Sequence, residues 1–183
     1  MPLTEPKFAT IADYEQLPEG APYQLINGEL IMSPSPTFFH QRISARILQK
    51  LAYFIQSNDL GTIATAPLDV TFSEFDVFQP DILFIRKERL HLIKSERVDI
   101  APDLVIEILS PSNAYYDLTH KKNIYCQYGV EEYWVVDPEA QTIEIMRKDG
   151  DFYRTISSTR SPGVIESPMF PGFSAKTEEV FAF

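Results

Sequence analysis

The sequence predicts an α/β fold with a mixed central β-sheet flanked by helices. Two nearly continuous apolar runs, at residues 81–85 and 104–109, suit strands that are buried on both faces of a sheet. A helical segment separates the second run from a third, at residues 132–136, which is the order of a strand–helix–strand crossover between parallel strands. Asn27-Gly28 and Asp149-Gly150 separate further strand-like segments and indicate antiparallel hairpins. Because both kinds of pairing are expected, the sheet should be mixed.

The N-terminal part is predicted to contain a hairpin, a helix and a strand. Residues 23–26 and 29–32 flank Asn27-Gly28, whose two residues tolerate positive φ, so we expect an added N-terminal β-hairpin. Apolar residues recur at helical spacing from residue 40 to residue 56. Residues 63–72 read as one strand with polar interruptions.

The C-terminal part is predicted to contain the crossover helix and a second hairpin. Residues 116–128 look helical and end at Gly129, a natural C-terminal cap. Residues 142–146 alternate between apolar and polar, as a half-exposed strand does. Residues 152–157 pair with them across Asp149-Gly150.

Length and composition indicate an ordinary globular protein. The chain of 183 residues suits a single domain, 1–183, with a full core. It has no apolar run long enough to cross a membrane and no basic-then-apolar start typical of a signal peptide. Cys126 is the single cysteine, so no intrachain disulfide is expected. A cytoplasmic protein that does not contact membranes is the simplest interpretation.

The net charge of -10 counts against non-specific nucleic-acid binding, because affinity for the phosphate backbone depends mainly on Lys and Arg. An acidic protein can still hold DNA if its basic residues are gathered on one face. Carboxylates that await a metal ion also weaken the argument from net charge.

Two acidic residues occupy positions where apolar strands seldom tolerate them. Asp81 follows Pro80 and opens one apolar run, and Glu107 lies inside another. A buried carboxylate is costly unless it is paired or bound to a cation. Hard oxygen ligands of this kind suit Mg²⁺ or Mn²⁺, which assist hydrolysis of phosphodiesters. The alternatives are that Pro-Asp is an ordinary strand entrance and that Glu107 belongs to a structural ion pair.

Five stretches together resemble the PD-(D/E)XK, restriction-endonuclease-like superfamily, and within it the restriction endonuclease group called Uma-two. The resemblance covers residues from about 14 to 173. The matching stretches are Tyr23-Gln-Leu-Ile-Asn-Gly-Glu-Leu-Ile-Met-Ser-Pro34, His40-Gln41, Gln79-Pro-Asp-Ile-Leu-Phe84, Leu104-Val-Ile-Glu-Ile-Leu-Ser-Pro-Ser112, and Asp117 through Gly129-Val-Glu-Glu-Tyr-Trp-Val-Val-Asp-Pro138.

The resemblance implies a restriction-endonuclease-like fold, a divalent metal ion held by Asp81 and Glu107, and DNA as the substrate. It also places Glu29 near the site, although Glu29 is equally well explained as an exposed residue after the hairpin turn. Family members commonly have Glu where this chain has Gln24 and Asp where it has Asn27. Both differences remove charge near Glu29.

The catalytic lysine of the superfamily lies two residues after the strand carboxylate, where this chain has Leu109. Similar proteins supply the lysine from the next helix, which points to Lys121. Lys121 shares a helical face with Asp117 and Tyr125, so it is preferred over Lys122. The alternative is that Lys121 only pairs with Asp117 across one helical turn.

Two groups of basic residues are candidates for DNA binding. One follows the Asp81 strand, and the other lies on the first long helix, where a solvated face is an equally good explanation. His40 begins that helix and either assists the chemistry or acts as a polar cap or satisfied core residue. The group after the Asp81 strand consists of Arg86, Lys87, Arg89, Lys94 and Arg97. The group on the helix consists of Arg42, Arg46 and Lys50.

The sequence therefore predicts a Mg²⁺-dependent (or Mn²⁺-dependent) DNA endonuclease with Asp81, Glu107, Lys121 and Glu29 in its site. The main alternative is a nuclease-fold binding or assembly module that has lost turnover. RNA remains a possible substrate, and a homodimer is plausible because cutting both strands requires two sites.

Overall fold

The computed structural model describes residues 8–94, 97–110 and 114–182. Its strands are β1 (Tyr23–Ile26), β2 (Glu29–Met32), β3 (Gly61–Thr65), β4 (Val70–Ser73), β5 (Asp76–Phe78), β6 (Ile82–Arg86), β7 (Leu104–Ile108), β8 (Glu132–Asp137), β9 (Thr142–Asp149), β10 (Phe152–Arg160), β11 (Val164–Glu166) and β12 (Ser174–Lys176).

The described helices surround these strands. A 3₁₀ helix, Lys87–Leu92, follows β6, and a π-helical turn, Asp117–Lys121, joins α3 to α4 without a break. The α-helices are α1 (Ile11–Tyr14), α2 (Phe38–Ser57), α3 (Ala114–Tyr116), α4 (Lys122–Gln127) and α5 (Thr177–Phe181). None of these described helices is both long and apolar enough to span a bilayer.

The central sheet has six strands in the order β10-β9-β8-β7-β6-β3. β7 and β8 are parallel and are joined by the helical crossover α3–α4, whereas the other neighbours in this sheet are antiparallel. The mixed sheet, the crossover and the β9–β10 hairpin predicted from the sequence are confirmed.

The predicted N-terminal hairpin is also confirmed, but it belongs to a second sheet. Asn27 and Gly28 have φ values of 51° and 75°, the backbone that a tight two-residue hairpin requires. β1 pairs with β5 on its other side, which gives a four-stranded sheet in the order β2-β1-β5-β4.

The prediction of a single strand over residues 63–72 is wrong. β3 ends at Thr65 and joins the central sheet, whereas β4 begins at Val70 and joins the four-stranded sheet. Pro67 lies in between, and because proline has no N–H it cannot continue a ladder of hydrogen bonds.

Two apolar clusters cover the two faces of the central sheet. The buried stripe of α2, which includes Ile43 and Ile47, packs on one face with Ile106. Val105 and Tyr125 of the crossover side belong to the cluster on the other face. Since side chains alternate along a strand, Glu107 points to the same face as Val105, toward the crossover helix.

Candidate active site

Asp81 and Glu107 lie beside each other at one end of the central sheet. β6 and β7 are antiparallel with Ile82 opposite Ile106, and this register places Asp81 opposite Glu107. Directly opposite residues of an antiparallel pair have Cβ atoms about 5 Å apart. The Ile108 N–H donates to Asp81 Oδ2 at 2.7 Å, which ties the start of β6 to the end of β7. The predicted adjacency of the two strands is confirmed.

Lys121 points from the crossover helix into the same end of the sheet. Its Nζ lies 3.1 Å from Glu107 Oε1 and 2.9 Å from Asp117 Oδ1. The Tyr125 hydroxyl donates to Glu107 Oε1 at 2.6 Å. Glu107, Asp117 and Lys121 are each no more than 3% exposed. Asp81, Glu107, Asp117 and Lys121 are called the carboxylate end below.

The π-helical turn was not foreseen from the sequence, although it carries both Asp117 and Lys121. Such turns are rare and frequently occur at functional sites. Asp117 and Tyr125 were foreseen only as residues that share a helical face with Lys121. Lys122 is half-buried, and its side chain makes no ion pair or hydrogen bond with the described residues. Of the two lysines, the structure therefore brings only Lys121 to the carboxylates.

Burial dominates the electrostatics of the carboxylate end. It raises the pKa of Glu107 to about 8, although the Lys121 ammonium opposes the shift. Burial also raises the pKa of Asp117, again against Lys121. Burial lowers the pKa of Lys121, but the charges of Glu107 and Asp117 outweigh this and raise it, so the lysine stays protonated. Three acidic groups therefore surround a single permanent cation.

The carboxylate oxygens at this end are of the kind that hard divalent cations accept. Lys121 and Tyr125 both contact Oε1 of Glu107, and Asp81 makes its contacts through Oδ2. Asp81 and Glu107 therefore each keep one side-chain oxygen without a partner among the described residues. No group of three or more His, Cys, Asp or Glu side chains in the described ranges is arranged to hold a metal ion. Mg²⁺ suits such a site, because it is commonly held by one or two carboxylates and keeps several waters.

His40 reaches the carboxylate end from the first turn of α2. Its Nε2 lies 3.2 Å from Asp81 Oδ2 and 3.1 Å from the Ile108 carbonyl oxygen. Burial lowers the pKa of His40, but the hydrogen bond and charge of Asp81 and the Ile108 carbonyl outweigh it, so the pKa is raised. The Thr37 hydroxyl caps the helix by accepting the His40 N–H at 3.2 Å.

Glu29 is not brought to the carboxylate end. It is exposed on β2, an outer strand of the four-stranded sheet, and its side chain has no hydrogen bond or ion pair with the described residues. Gln24 is buried, and its side-chain oxygen accepts the Gln79 N–H at 3.0 Å. It thereby links the hairpin to the segment that leads into Asp81. Asn27 Nδ2 lies 2.7 Å from His120 Nδ1, next to Lys121 in the chain.

Arg86 and Arg89 lie at the opposite end of the central sheet, where β6 ends and β7 begins. Asp103 accepts from Arg86 Nε at 3.3 Å and from Arg89 at 2.7 Å. Glu131 pairs with Arg86 and also with Arg147, the latter at 2.9 Å. Asp103, Glu131, Arg86, Arg89 and Arg147 are called the arginine end below. A strand of five residues separates the two ends by roughly 16 Å.

Of the remaining basic candidates, Lys94 is exposed and its side chain has no partner among the described residues, whereas the others are paired within the chain. Lys87 pairs with Asp59, Arg97 pairs with Glu15 at 2.7 Å, and Lys50 pairs with Glu179. Arg42 and Arg46 donate to main-chain carbonyls of residues 180–182, which holds the C-terminal segment against α2. Their assignment to DNA stays a prediction, and the structure separates Arg86, Lys87 and Arg89 from the carboxylates.

The same fold occurs in a solved structure. A crystal structure described as "a putative nuclease belonging to DUF820", from Anabaena variabilis, superposes with a TM-score of 0.80 at 23% sequence identity and covers 94% of this chain and 97% of its own. The uncharacterized protein sll1609 of Synechocystis sp. is 28% identical over 149 residues, which are 79% of this chain and 84% of that protein.

Residues 11–178 match the family Uma2, described as "Putative restriction endonuclease". The match spans nearly all of the described residues, including both strands and the helix that build the carboxylate end. The expected restriction-endonuclease-like α/β fold is confirmed, and the chain belongs to the Uma2 family.

Proposed function

We propose that this chain is a phosphodiester hydrolase that depends on Mg²⁺ or Mn²⁺ and cuts DNA as an endonuclease. The observation that carries the proposal is the meeting of Asp81, Glu107 and Lys121 at one end of the sheet, from three separate elements. Membership in a family described as restriction endonucleases supports the same reading.

The surroundings of each side chain indicate its role in the proposed reaction. Asp81 is half-buried, and Glu107 keeps one oxygen free, so these two would hold the cation. A bound divalent cation would polarise the phosphodiester and stabilise the negative charge that develops during hydrolysis. Lys121 offers a fixed positive charge beside Glu107, which offsets part of that charge and orients the attacking water. Glu29 assists only if the hairpin moves toward the site.

Cleavage of supercoiled and linear DNA during titration with Mg²⁺ or Mn²⁺ tests the proposal. The wild-type chain should nick or linearise the plasmid only when the cation is present, and Asp81→Ala should be inactive. Asp149→Ala, which removes an exposed carboxylate on the β9–β10 hairpin, is the matched control and should cut normally. Activity that persists in Asp81→Ala would contradict the assignment.

The role of Lys121 is tested in the same assay against its neighbour. Lys121→Ala should lose at least about 100-fold in rate, the usual minimum for a positioned acid–base group, while Lys122→Ala stays near wild type. Small and equal losses would mean that the cation alone activates the water. An RNA substrate of the same sequence, run in parallel, decides between the two nucleic acids.

A second candidate function is a nuclease-fold binding or assembly module without turnover. The buried position of Lys121 between two carboxylates and the pairing of most basic candidates within the chain favour it. Binding of DNA without cleavage at any cation concentration would establish it. A homodimer and a cytoplasmic location belong to the main proposal, and light scattering in solution and cell fractionation test them.

A further inference from the structure

His40 lies where two candidate ligand oxygens face each other. Its Nε2 is 3.2 Å from Asp81 Oδ2 and 3.1 Å from the Ile108 carbonyl oxygen. The Ile108 N–H donates to the same Asp81 oxygen at 2.7 Å. A single N–H of the imidazole is therefore shared between a carboxylate and a carbonyl, both of which are oxygen donors that divalent cations accept.

The second ring nitrogen of His40 makes no hydrogen bond with the described residues. Nδ1 is buried, and it has no hydrogen-bond partner among the described residues. Nε2 faces two acceptor oxygens and therefore carries a proton whether the ring is neutral or charged, and a protonated Nε2 cannot coordinate a metal ion.

We propose that His40 stands in for the cation in the metal-free protein, and that a divalent cation binds at Asp81 by displacing the His40 imidazole from Asp81 Oδ2 and the Ile108 carbonyl. The inference rests on the proposed cation site and adds a competitor that belongs to the chain itself. His40 is thus a positioning residue that acts through the oxygens it holds.

The His40 N–H and a divalent cation bound to the same two oxygens cannot be present together. A divalent cation needs its oxygen ligands at about 2.0–2.6 Å. Nε2 is only 3.1 Å and 3.2 Å from the same two oxygens, so its N–H lies in the space the cation would take. Nδ1 adds no hydrogen bond in the described part of the chain, although the buried ring is also held by packing. The hydrogen bonds that displacement breaks are therefore those of Nε2.

Calorimetric titration with Mn²⁺ tests the inference without an activity assay. His40→Ala removes the competitor, and its Kd for Mn²⁺ should be about ten-fold lower than that of wild type, which is the expected effect of losing one hydrogen bond to a charged acceptor. His40→Gln keeps an N–H donor and should stay near wild type. His91→Ala, at an exposed histidine on the 3₁₀ helix, is the control.

A second measurement uses the wild-type protein and does not depend on how the variants fold. Saturating Mg²⁺ should shift the NMR signals of the His40 ring and of the Ile108 amide, while those of His91 stay in place. Unmoved His40 signals at saturation would overturn the inference.

The outcomes separate this inference from the proposed function. Mn²⁺ binding that is unchanged or weaker in His40→Ala overturns the competition but leaves the cation site standing. Binding seen in His40→Ala but not in wild type supports a strong competitor. No binding in either protein overturns both proposals.

Discussion

The two ends of the central sheet carry charged clusters of opposite balance. At the carboxylate end, Asp81, Glu107 and Asp117 surround Lys121 as the one permanent cation of that group. At the arginine end, Asp103 and Glu131 are shared by Arg86, Arg89 and Arg147. Both clusters lie at the ends of strands of the same sheet, so their different balance does not follow from the fold.

The difference teaches which cluster is structural. The arginine end is satisfied by its own side chains, and its arginines are about one-third exposed or more. The carboxylate end is deeply buried and has more acidic groups than its own cations can neutralise, so burial raises the pKa values of Glu107 and Asp117. A site built in this way is suited to a cation from outside the chain.

Removal of the central cation of each cluster should give the largest contrast. Lys121→Met leaves Glu107 and Asp117 buried without a cation, and the free energy of unfolding should fall by about 3 kcal/mol, as is usual when one partner of a buried pair is removed. Arg89→Met, at a partly exposed pair, should cost at most about 1 kcal/mol. Urea unfolding at pH 8 measures both. Equal losses would remove the distinction between the ends.

Neutralisation of one carboxylate at each end should have unequal effects. Asp103→Asn weakens hydrogen bonds from Arg86 and Arg89 and should cost about 2 kcal/mol. Glu107→Gln should cost less than about 1 kcal/mol at pH 7, because a carboxyl whose pKa is about 8 is already largely protonated there. A Glu107→Gln variant less stable than Asp103→Asn would mark Glu107 as structural.

These residues also show which features of the candidate site could be predicted from the sequence. The proximity of Asp81 and Glu107 could be predicted, because a carboxylate in an apolar run needs a specific explanation. The structure shows that the two runs are neighbouring strands. Lys121 could be predicted from helical spacing combined with the family resemblance. The Ile108 carbonyl and the contact of His40 with Asp81 could not, because they depend on how α2 docks against the ends of two strands, a packing that no local pattern records.

The second sheet escaped prediction for a similar reason. β5 has only three residues, and it pairs with β1 through Val77 and Leu25, which lie far apart in the chain. So short a run carries little periodic signal, and its place is set by long-range pairing. The ion pairs of Arg86 and Arg89 with Asp103 could not be read from the density of basic residues after the Asp81 run, and the assignment of these residues to DNA stays a prediction.

Metal binding should depend on pH at the carboxylate end. The pKa of Glu107 is raised from 4.5 to about 8 in the metal-free protein, so below pH 8 a proton must leave before the carboxylate can hold a cation. The affinity for Mn²⁺ should rise about ten-fold per pH unit between pH 6 and pH 7, with close to one proton released. Calorimetry in buffers of different ionisation enthalpy measures the release.

The raised pKa of Glu107 also makes the stability of the metal-free protein depend on pH. Between about pH 4.5 and pH 8 the unfolded chain loses the Glu107 proton while the folded chain keeps it, so the metal-free protein should become less stable as the pH rises through this range. Asp117 acts in the same direction. Glu107→Gln should flatten the profile. Affinity and stability that are both flat in wild type would contradict a buried, protonated Glu107.

The smallest effect is expected for DNA binding at the arginine end. If Arg86, Lys87 and Arg89 each contacted a phosphate, replacing all three by Ala would reduce the salt slope of DNA affinity by roughly three units. Their pairing with Asp103, Glu131 and Asp59 predicts a reduction of less than about one unit. Fluorescence anisotropy with labelled duplex over a range of salt concentrations distinguishes the two outcomes, and the larger change would support the assignment made from sequence.

A direct Mn²⁺ titration of three proteins tests the central claim that the carboxylate end is a cation site. Wild type and Asp103→Asn, altered only at the arginine end, should each bind about one ion with similar affinity, because Mg²⁺-type sites need one or two carboxylates and these remain intact. Asp81→Asn should show no binding while remaining folded. Binding to Asp81→Asn equal to that of wild type, or no binding to folded wild type, would contradict the account.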